Sequence, residues 1–281
     1  MSPRRLDVAL HEDGHARSRT HARRIVEEGR ALVDGRAATK PSLPVPEGAL
    51  VEVIDVPDGV EYASRAAHKL AGALAGAGVQ VAGRLCLDAG ASTGGFTDVL
   101  LRRGARRVIA VDIGHDQLAP HLREDARVDV RDGTSIRGLR PEAVDGPVDL
   151  LVADLSFISL RTVIADLAGL VSADGELLVM VKPQFEVGRA RLPRSGVVVS
   201  AEHRVDALRG VVEAAAETGL ELRGAGMSAL PGQDGNREYF LHLRPAPVAA
   251  PVSPAAYDMI DQAVRHPSAP RTTPEGGERT R

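Results

Sequence analysis

Two short runs in this chain end in residues that do chemistry. In Val152-Ala153-Asp154-Leu155-Ser156-Phe157 a carboxylate closes an apolar stretch, and in Val181-Lys182-Pro183-Gln184-Phe185-Glu186 a lysine does the same. If both stretches are strands of one doubly wound sheet, Asp154 and Lys182 lie at carboxyl ends of strands, the edge that faces the ligand crevice in such folds. Pro183 cannot continue a sheet ladder, so it fixes where Lys182 projects. A lysine beside a carboxylate suits proton removal from a hydroxyl or stabilisation of the oxyanion left behind. Desolvation draws a lysine toward the range where such work is possible. Taken alone, Lys182 reads more readily as a surface lysine at a strand end.

A third run points to a cofactor. The strand Leu85-Cys86-Leu87 leads into Asp88-Ala-Gly-Ala-Ser-Thr-Gly-Gly-Phe-Thr97, and a helix follows. Gly90, Ser92, Thr93, Gly94, Gly95 and Phe96 form a loop of mostly small residues that lets backbone approach a ligand closely. Ser92 stands where a dinucleotide fingerprint needs its second glycine, and no Gly-Lys-Ser/Thr triplet marks a triphosphate loop. Asp88 would repel a pyrophosphate but suits a positively charged amino acid head group, as in S-adenosylmethionine. Asp112, ending the second strand, is placed for ribose hydroxyls, and Asp132, after the third, for the adenine amine. Any one of these aspartates also reads as a turn former or helix cap. Three in succession, each just past a strand, favour the cofactor.

The elements that must position these residues follow from the pattern. Strands at 84–88, 108–112, 127–130, 148–153 and 176–181 alternate with helices, and a helix over 201–217 precedes strands near 220–226 and 238–243. The fold class is therefore α/β, a Rossmann-like sheet that is mainly parallel. A helix over 63–77 comes first, after a connector at 58–62. Ahead of that, residues 4–57 form a smaller α+β domain. It has a short helix at Leu6-Ala9-Leu10, a second helix capped by Ser18 and stopped at Gly29, a strand at 31–33 turned by Asp34-Gly35, and a strand over 49–56. The large domain covers 63–244. The segment 245–281 is crowded with prolines and is expected to lack fixed structure, apart from a short helix over 255–264.

Composition bounds the function. At 281 residues there is room for a large domain and a companion, and 2% aromatic residues exclude a binding surface built on stacked aromatic platforms. The net charge of -3 excludes a uniformly basic nucleic-acid binder and directs attention to local patches. Arg4, Arg5, Arg17, Arg19, Arg23 and Arg24 supply one in the small domain, interrupted by Glu27 and Glu28, so a solvated amphipathic surface is the alternative. The single cysteine, Cys86, sits in an apolar run and reads as a buried thiol. No histidine, cysteine or aspartate cluster has metal-ligand spacing. Without a visible signal peptide or spanning run, the expected location is the cytoplasm. Oligomeric state is not encoded in any pattern here.

Together the three runs closely resemble the TlyA family, whose members look like FtsJ-type rRNA methyltransferases with an N-terminal S4 domain. The resemblance extends from Arg4 to about Leu243. It implies S-adenosylmethionine as cofactor and 2′-O-methylation of cytidine in ribosomal RNA within ribosomal subunits, 23S and in some members 16S. It also implies a Lys-Asp-Lys-Glu tetrad. The matching positions are Lys69 in Ser64-Arg-Ala-Ala-His-Lys69, Asp154, Lys182, and Glu238 in Asn236-Arg-Glu-Tyr-Phe240. Lys182 would act on the 2′-hydroxyl while the others orient it and the ribose, and Arg65 joins the RNA-contacting arginines. Where some members carry a tryptophan-containing connector, this chain reads Val60-Glu61-Tyr62-Ala63. Two rival readings are a non-catalytic ribosome-assembly factor on the same fold and a membrane-active haemolysin, a label the family sometimes carries. Four occupied tetrad positions count against the first, and the absence of a strongly hydrophobic amphipathic helix counts against the second.

Overall fold

In the computed structural model the described residues are 3–27, 29–53, 62–232, 234–246 and 251–266. The chain divides into two units, Met1–Arg65 and Ala66–Arg281.

In the first unit, β1 (Arg4–Arg5) runs into α1 (Leu6–Glu12), followed by α2 (Arg19–Glu27), β2 (Ala31–Val33), β3 (Arg36–Ala37), β4 (Pro44–Val45) and β5 (Val51–Val53). Strands β3, β2 and β5 form one antiparallel sheet, and β1 pairs with β4 in a second. Leu6, Ala9 and Leu10 bury against Ala22, Ile25 and Val26, so the two helices meet along their apolar stripes. Ser18 accepts a hydrogen bond from the His21 amide at 3.1 Å and starts α2, and Gly29 takes the left-handed conformation that ends it. The strand expected over 49–56 is seen as Val51–Val53. Residues 54–56, and 58–61 of the expected connector, lie outside the described residues.

In the second unit, α3 (Ala66–Ala77) precedes an alternation of strands and helices: β6 (Leu85–Ala89), α4 (Gly95–Arg102), β7 (Arg107–Val111), α5 (Pro120–Arg123), β8 (Val128–Arg131), β9 (Val148–Ala153), α6 (Ile164–Gly169), β10 (Val171–Val181), α7 (Pro183–Glu186), α8 (Ala201–Glu217), β11 (Leu220–Met227) and β12 (Tyr239–Pro245). The strand order is β11-β12-β10-β9-β6-β7-β8. The five strands from β10 to β8 are parallel, while β12 runs antiparallel to both β10 and β11. The buried faces of Leu87, Ile109, Leu151, Val179 and Leu241 share one core with Leu208, Val211 and Val212 of α8. Cys86 is wholly buried, and burial pushes its thiol up to about 12.

The short helix expected over 255–264 is present. A last helix, α9 (Pro254–Arg265), follows the sheet and is part of the unit's core through Ile260 and Val264. Ser253 caps it by accepting from the Ala256 amide at 3.2 Å, and Arg209 reaches from α8 to Asp261 at 2.5 Å. The proline-rich composition of the segment conceals a proline-free stretch from 255 to 266, and Pro254 sits in the first turn, where its missing N–H costs nothing. Residues 267–281 lie outside the described residues.

Candidate active site

The reversal of direction at β12 creates the site. Tyr239, the first residue of β12, pairs with Val181, the last of β10, so Glu238 and Lys182 extend that pairing by one step at the same sheet edge. On the other side of β10, the parallel strand β9 ends at Ala153 and delivers Asp154. Beyond it, β6 ends at Ala89, paired with Ala153, and delivers Gly90. Four chain segments far apart in sequence thus open onto one edge.

Two ion pairs occupy that edge. Lys182 Nζ lies 2.7 Å from Asp154 Oδ1 and donates a hydrogen bond to Ser156 Oγ at 2.6 Å. The contact with Asp154 is electrostatic rather than an aligned hydrogen bond, since Asp154 Oδ1 has no hydrogen-bond partner. Lys69, on α3, donates to Glu238 Oε2 at 2.5 Å, with both side chains nearly buried. Gly232 leaves the room for this pair: a Cβ there would stand 2.8 Å from Glu238 Oε1. Asn236 fixes the approach to Glu238 by accepting from the Val198 amide and donating to the Gly196 carbonyl, each at 2.9 Å.

The loop after β6 is shaped for close approach. Gly90 has φ +84°, and a Cβ on it would lie 2.7 Å from the carbonyl oxygen of Asp154. Asp88 is wholly buried; its Oδ2 accepts from Thr97 Oγ1 at 2.7 Å, and its Oδ1 has no partner. Burial pushes this carboxyl up to about 7. Asp112 ties the loop down, accepting from the amides of Ser92 at 2.8 Å and Gly114 at 2.7 Å. Ser92 and Thr93 are exposed, and Gly94 and Gly95 open α4. Phe96 turns inward and packs on Phe240 with ring centroids 6.1 Å apart. Asp132 is engaged by Arg123 at 2.7 Å and by the Asp116 amide at 3.1 Å, and the Arg123 guanidinium draws its carboxyl downward. The structure brings Asp88 and the glycine loop together with Asp154 and Lys182, while Asp112 and Asp132 flank them at the ends of β7 and β8.

Several residues at this edge escaped the sequence reading. Ser156, just past β9, and Thr97, in the first turn of α4, are polar residues of a kind too common to single out. Phe157 is 92% exposed, holds a φ of +62° that non-glycine residues rarely adopt, and stacks obliquely on Phe185 at 5.5 Å. Glu186 fastens the same loop from α7, accepting from Ser159 Oγ at 2.5 Å and the Leu160 amide at 2.7 Å; burial raises its pKa.

The arginines of the first unit gather around acids. Arg5, Arg19 and Arg23 converge on the buried Asp7 at 2.9, 3.2 and 3.3 Å, and Arg4 reaches Glu12 at 3.1 Å and Asp13 at 2.7 Å. The Arg5 hydrogen bond, with those of Arg19 and Arg23, holds Asp7 well below the usual carboxylate range. Three guanidinium groups on one carboxylate leave a net positive cluster whose members are each about half exposed. Arg17 is exposed, while Arg24 and Arg65 are half-buried.

Residues 62–245 match the FtsJ-like methyltransferase family, and residues 4–51 match the S4 domain. The chain belongs to the FtsJ-like methyltransferases. Among similar proteins, the 16S/23S rRNA (cytidine-2'-O)-methyltransferase TlyA of Mycobacterium tuberculosis is 48% identical over 240 residues, 85% of this chain and 89% of that one. The 23S rRNA (cytidine-2'-O)-methyltransferase TlyA of Campylobacter jejuni is 34% identical over 182 residues, covering 64% of this chain and 70% of that one. A solved structure of a Streptococcus thermophilus protein named as a hemolysin is 32% identical, covers 94% of this chain and 97% of that one, and superposes with a TM-score of 0.72. In this FtsJ-like methyltransferase, no group of three or more His, Cys, Asp or Glu among the described residues is arranged to hold a metal ion. No described helix is long and apolar enough to cross a membrane.

Proposed function

We propose that this chain transfers a methyl group from S-adenosylmethionine to the ribose 2′-oxygen of a cytidine in ribosomal RNA, acting on ribosomal subunits in the cytoplasm. The observation that carries the reading is Lys182, held between Asp154 and Ser156 at the edge where the Gly90 loop opens. The 23S rRNA is the first substrate to test and the 16S rRNA the second, because the 48% identical relative is named for both.

The residues present fit the cofactor. Gly90 admits no side chain, and the unpartnered Oδ1 of Asp88 offers a buried acceptor for an ammonium group. Asp88, Gly90, Ser92, Thr93, Gly94 and Gly95 would hold the amino acid end, Asp112 the ribose hydroxyls and Asp132 the adenine, with Phe96 supporting the loop from the core. When bound, S-adenosylmethionine supplies an electrophilic methyl group on sulfur.

The chain's own residues supply the rest. An ammonium has three N–H donors. Ser156 takes one from Lys182, so Nζ keeps donors for an incoming 2′-oxygen. That ammonium lowers the energy of negative charge developing on the oxygen as its proton leaves to solvent, and Asp154, 2.7 Å away, balances and positions it. The neutral pair Lys69–Glu238 orients the ribose without adding net charge. Phe157 presents an exposed ring on the loop that carries Asp154, a surface on which a base can stack. The Asp7 cluster, with Arg4, Arg17, Arg24 and Arg65, would hold the rRNA by its phosphates.

The test is methyl transfer from labelled cofactor to isolated subunits and to naked rRNA, with wild type beside Lys182→Ala. Label at a ribose 2′-oxygen with wild type only is the expected result. A wild-type chain that binds rRNA and labels none of these substrates would hand the function to the assembly-factor reading.

A further inference from the structure

The methyltransferase unit contains a buried cation that its own fold does not neutralise. Arg204, in the first turn of α8, is 7% exposed. Its Nη1 donates to the carbonyls of Val198 at 3.1 Å and Val199 at 2.8 Å, and its Nε has no hydrogen-bond partner. No carboxylate among the described residues pairs with it. A buried charge held by carbonyl dipoles and the Tyr239 hydroxyl, with no carboxylate beside it, is costly, because water has been removed and no counter-charge replaces it.

Arg204 lines a cavity of about 260 Å³ with Val197, Val198, Val199, Gly235 and Arg237. That volume is several times the roughly 30 Å³ occupied by one water. The lining contains two guanidinium groups and no acid. Arg237 is exposed and has no hydrogen-bond or ion-pair partner among the described residues. Asp234, on the adjacent turn, is exposed and does not line the cavity. The walls are fixed: Asn236, itself buried, joins the strand side to the 196–198 side through its two 2.9 Å hydrogen bonds. Burial raises the pKa of the neighbouring Tyr239, and the positive charges of Arg204 and Arg237 oppose that rise.

The cavity adjoins the active edge through the chain. Arg237 immediately precedes Glu238, the partner of Lys69.

We propose that this cavity binds a phosphodiester of the RNA strand that carries the target ribose, with Arg204 and Arg237 as the anion-holding groups. The proposal rests on the RNA-methylating reading and deepens it. The first unit is then not the sole source of phosphate contacts: the catalytic unit anchors the strand beside the reacting sugar. Guanidinium groups suit this role because their donors match phosphate oxygens in pairs.

The experiment measures binding of a labelled rRNA fragment to the full chain at several salt concentrations. Wild type is compared with Arg237→Gln, with Val199→Glu, and with Arg223→Gln as a control on exposed β11. Val199 is 76% exposed, so a glutamate there places negative charge at the cavity without disturbing the core. One lost phosphate contact lowers the slope of log affinity against log salt by about 0.7 to 1. That loss in both cavity variants, with the control unchanged, is the expected result. Wild-type slopes in both cavity variants would overturn the proposal. So would a cavity that takes up inorganic phosphate, followed by NMR of the Arg204 Nε–H, while Arg237→Gln keeps the wild-type RNA slope; the site would then serve a free anion. Because binding is read without methyl transfer, a wild type that binds with this slope and methylates nothing would sink the proposed function alone.

Discussion

The two ends of the seven-stranded sheet treat charge in opposite ways. Toward the amino end, Glu176 is 2% exposed and is ringed by Arg84, by Arg244 and by His242 at 3.2 Å. Nearby, Asp149 accepts from the Leu85 amide at 2.8 Å, and Arg107 bridges Asp129 at 2.6 Å and Asp145 at 3.0 Å. At the carboxyl end, Asp88 Oδ1 and Gln184 Oε1 are buried with no hydrogen-bond partner. A folded chain seldom leaves buried acceptors unpaired, since each costs about 1–3 kcal/mol. Where they collect, something other than the chain completes them. The amino end is organised for stability and the carboxyl end for a ligand.

Breaking each end should therefore break a different property. Lys182→Ala is expected to lower methyl transfer by roughly 10²- to 10⁴-fold, the range for losing a group that handles a proton or its charge. Cofactor affinity by calorimetry and the denaturation midpoint should stay near wild type. Glu176→Ala should do the reverse: it takes the shared acceptor from Arg84, Arg244 and His242 and costs about 1–3 kcal/mol in urea unfolding. Transfer per folded molecule should be retained. Equal stability losses in the two variants would erase the contrast.

Asp88 sharpens it through pH. Its carboxyl is raised from 3.8 to about 7 by burial, so between those values the folded chain keeps a proton that the unfolded chain has lost. Stability from this group is complete below 3.8 and is lost as pH rises through about 7. Asp88→Asn should flatten that slope in unfolding curves. If the ionised form receives the cofactor's ammonium, wild-type affinity climbs toward about tenfold per pH unit below 7 and levels above it. In Asp88→Asn the affinity should be weak and independent of pH, and a pH-dependent mutant would remove Asp88 from that role.

Phe157→Ala carries a smaller expected effect. Loss of one stacking surface is worth about 1–3 kcal/mol per base, so kcat/KM on rRNA should fall by roughly tenfold while stability is unchanged. Smaller still, Arg23→Gln removes one member of the Asp7 cluster. It should lower the salt slope of rRNA binding by about 0.7 to 1 without altering turnover at saturating substrate.

The sequence showed most of the fold because local rules sufficed. The alternation of apolar strands with helices is visible in the chain, and β6, β7, β9 and α8 lie within a residue or two of where periodicity placed them. Ser18 and Gly29 announced the limits of α2 through cap chemistry alone. The helix at 254–265 lies where a short helix was expected over 255–264, because the prolines flank it rather than interrupt it. Within the site, Asp88, Asp154 and Lys182 stood out because each closes an apolar run. Ser156, Thr97 and Asn236 did not, because a hydroxyl or amide near a strand end has no distinguishing spacing.

What the sequence alone determined, then, is what depends on short-range order: the strand-and-helix alternation, the small-residue loop after β6, and the residues at the strand ends. Tertiary structure decided which of those ends meet. Lys69 and Glu238 are 169 positions apart, and no periodicity links them. They meet because β12 inserts antiparallel between β10 and β11, bringing its first residues to the edge where the parallel strands finish. The same long-range packing buried Asp88 away from any cation, gathered three arginines on Asp7, and left Arg204 inside with no acid to face. Charge on a side chain is written in the sequence; whether that charge is matched depends on neighbours that only folding supplies.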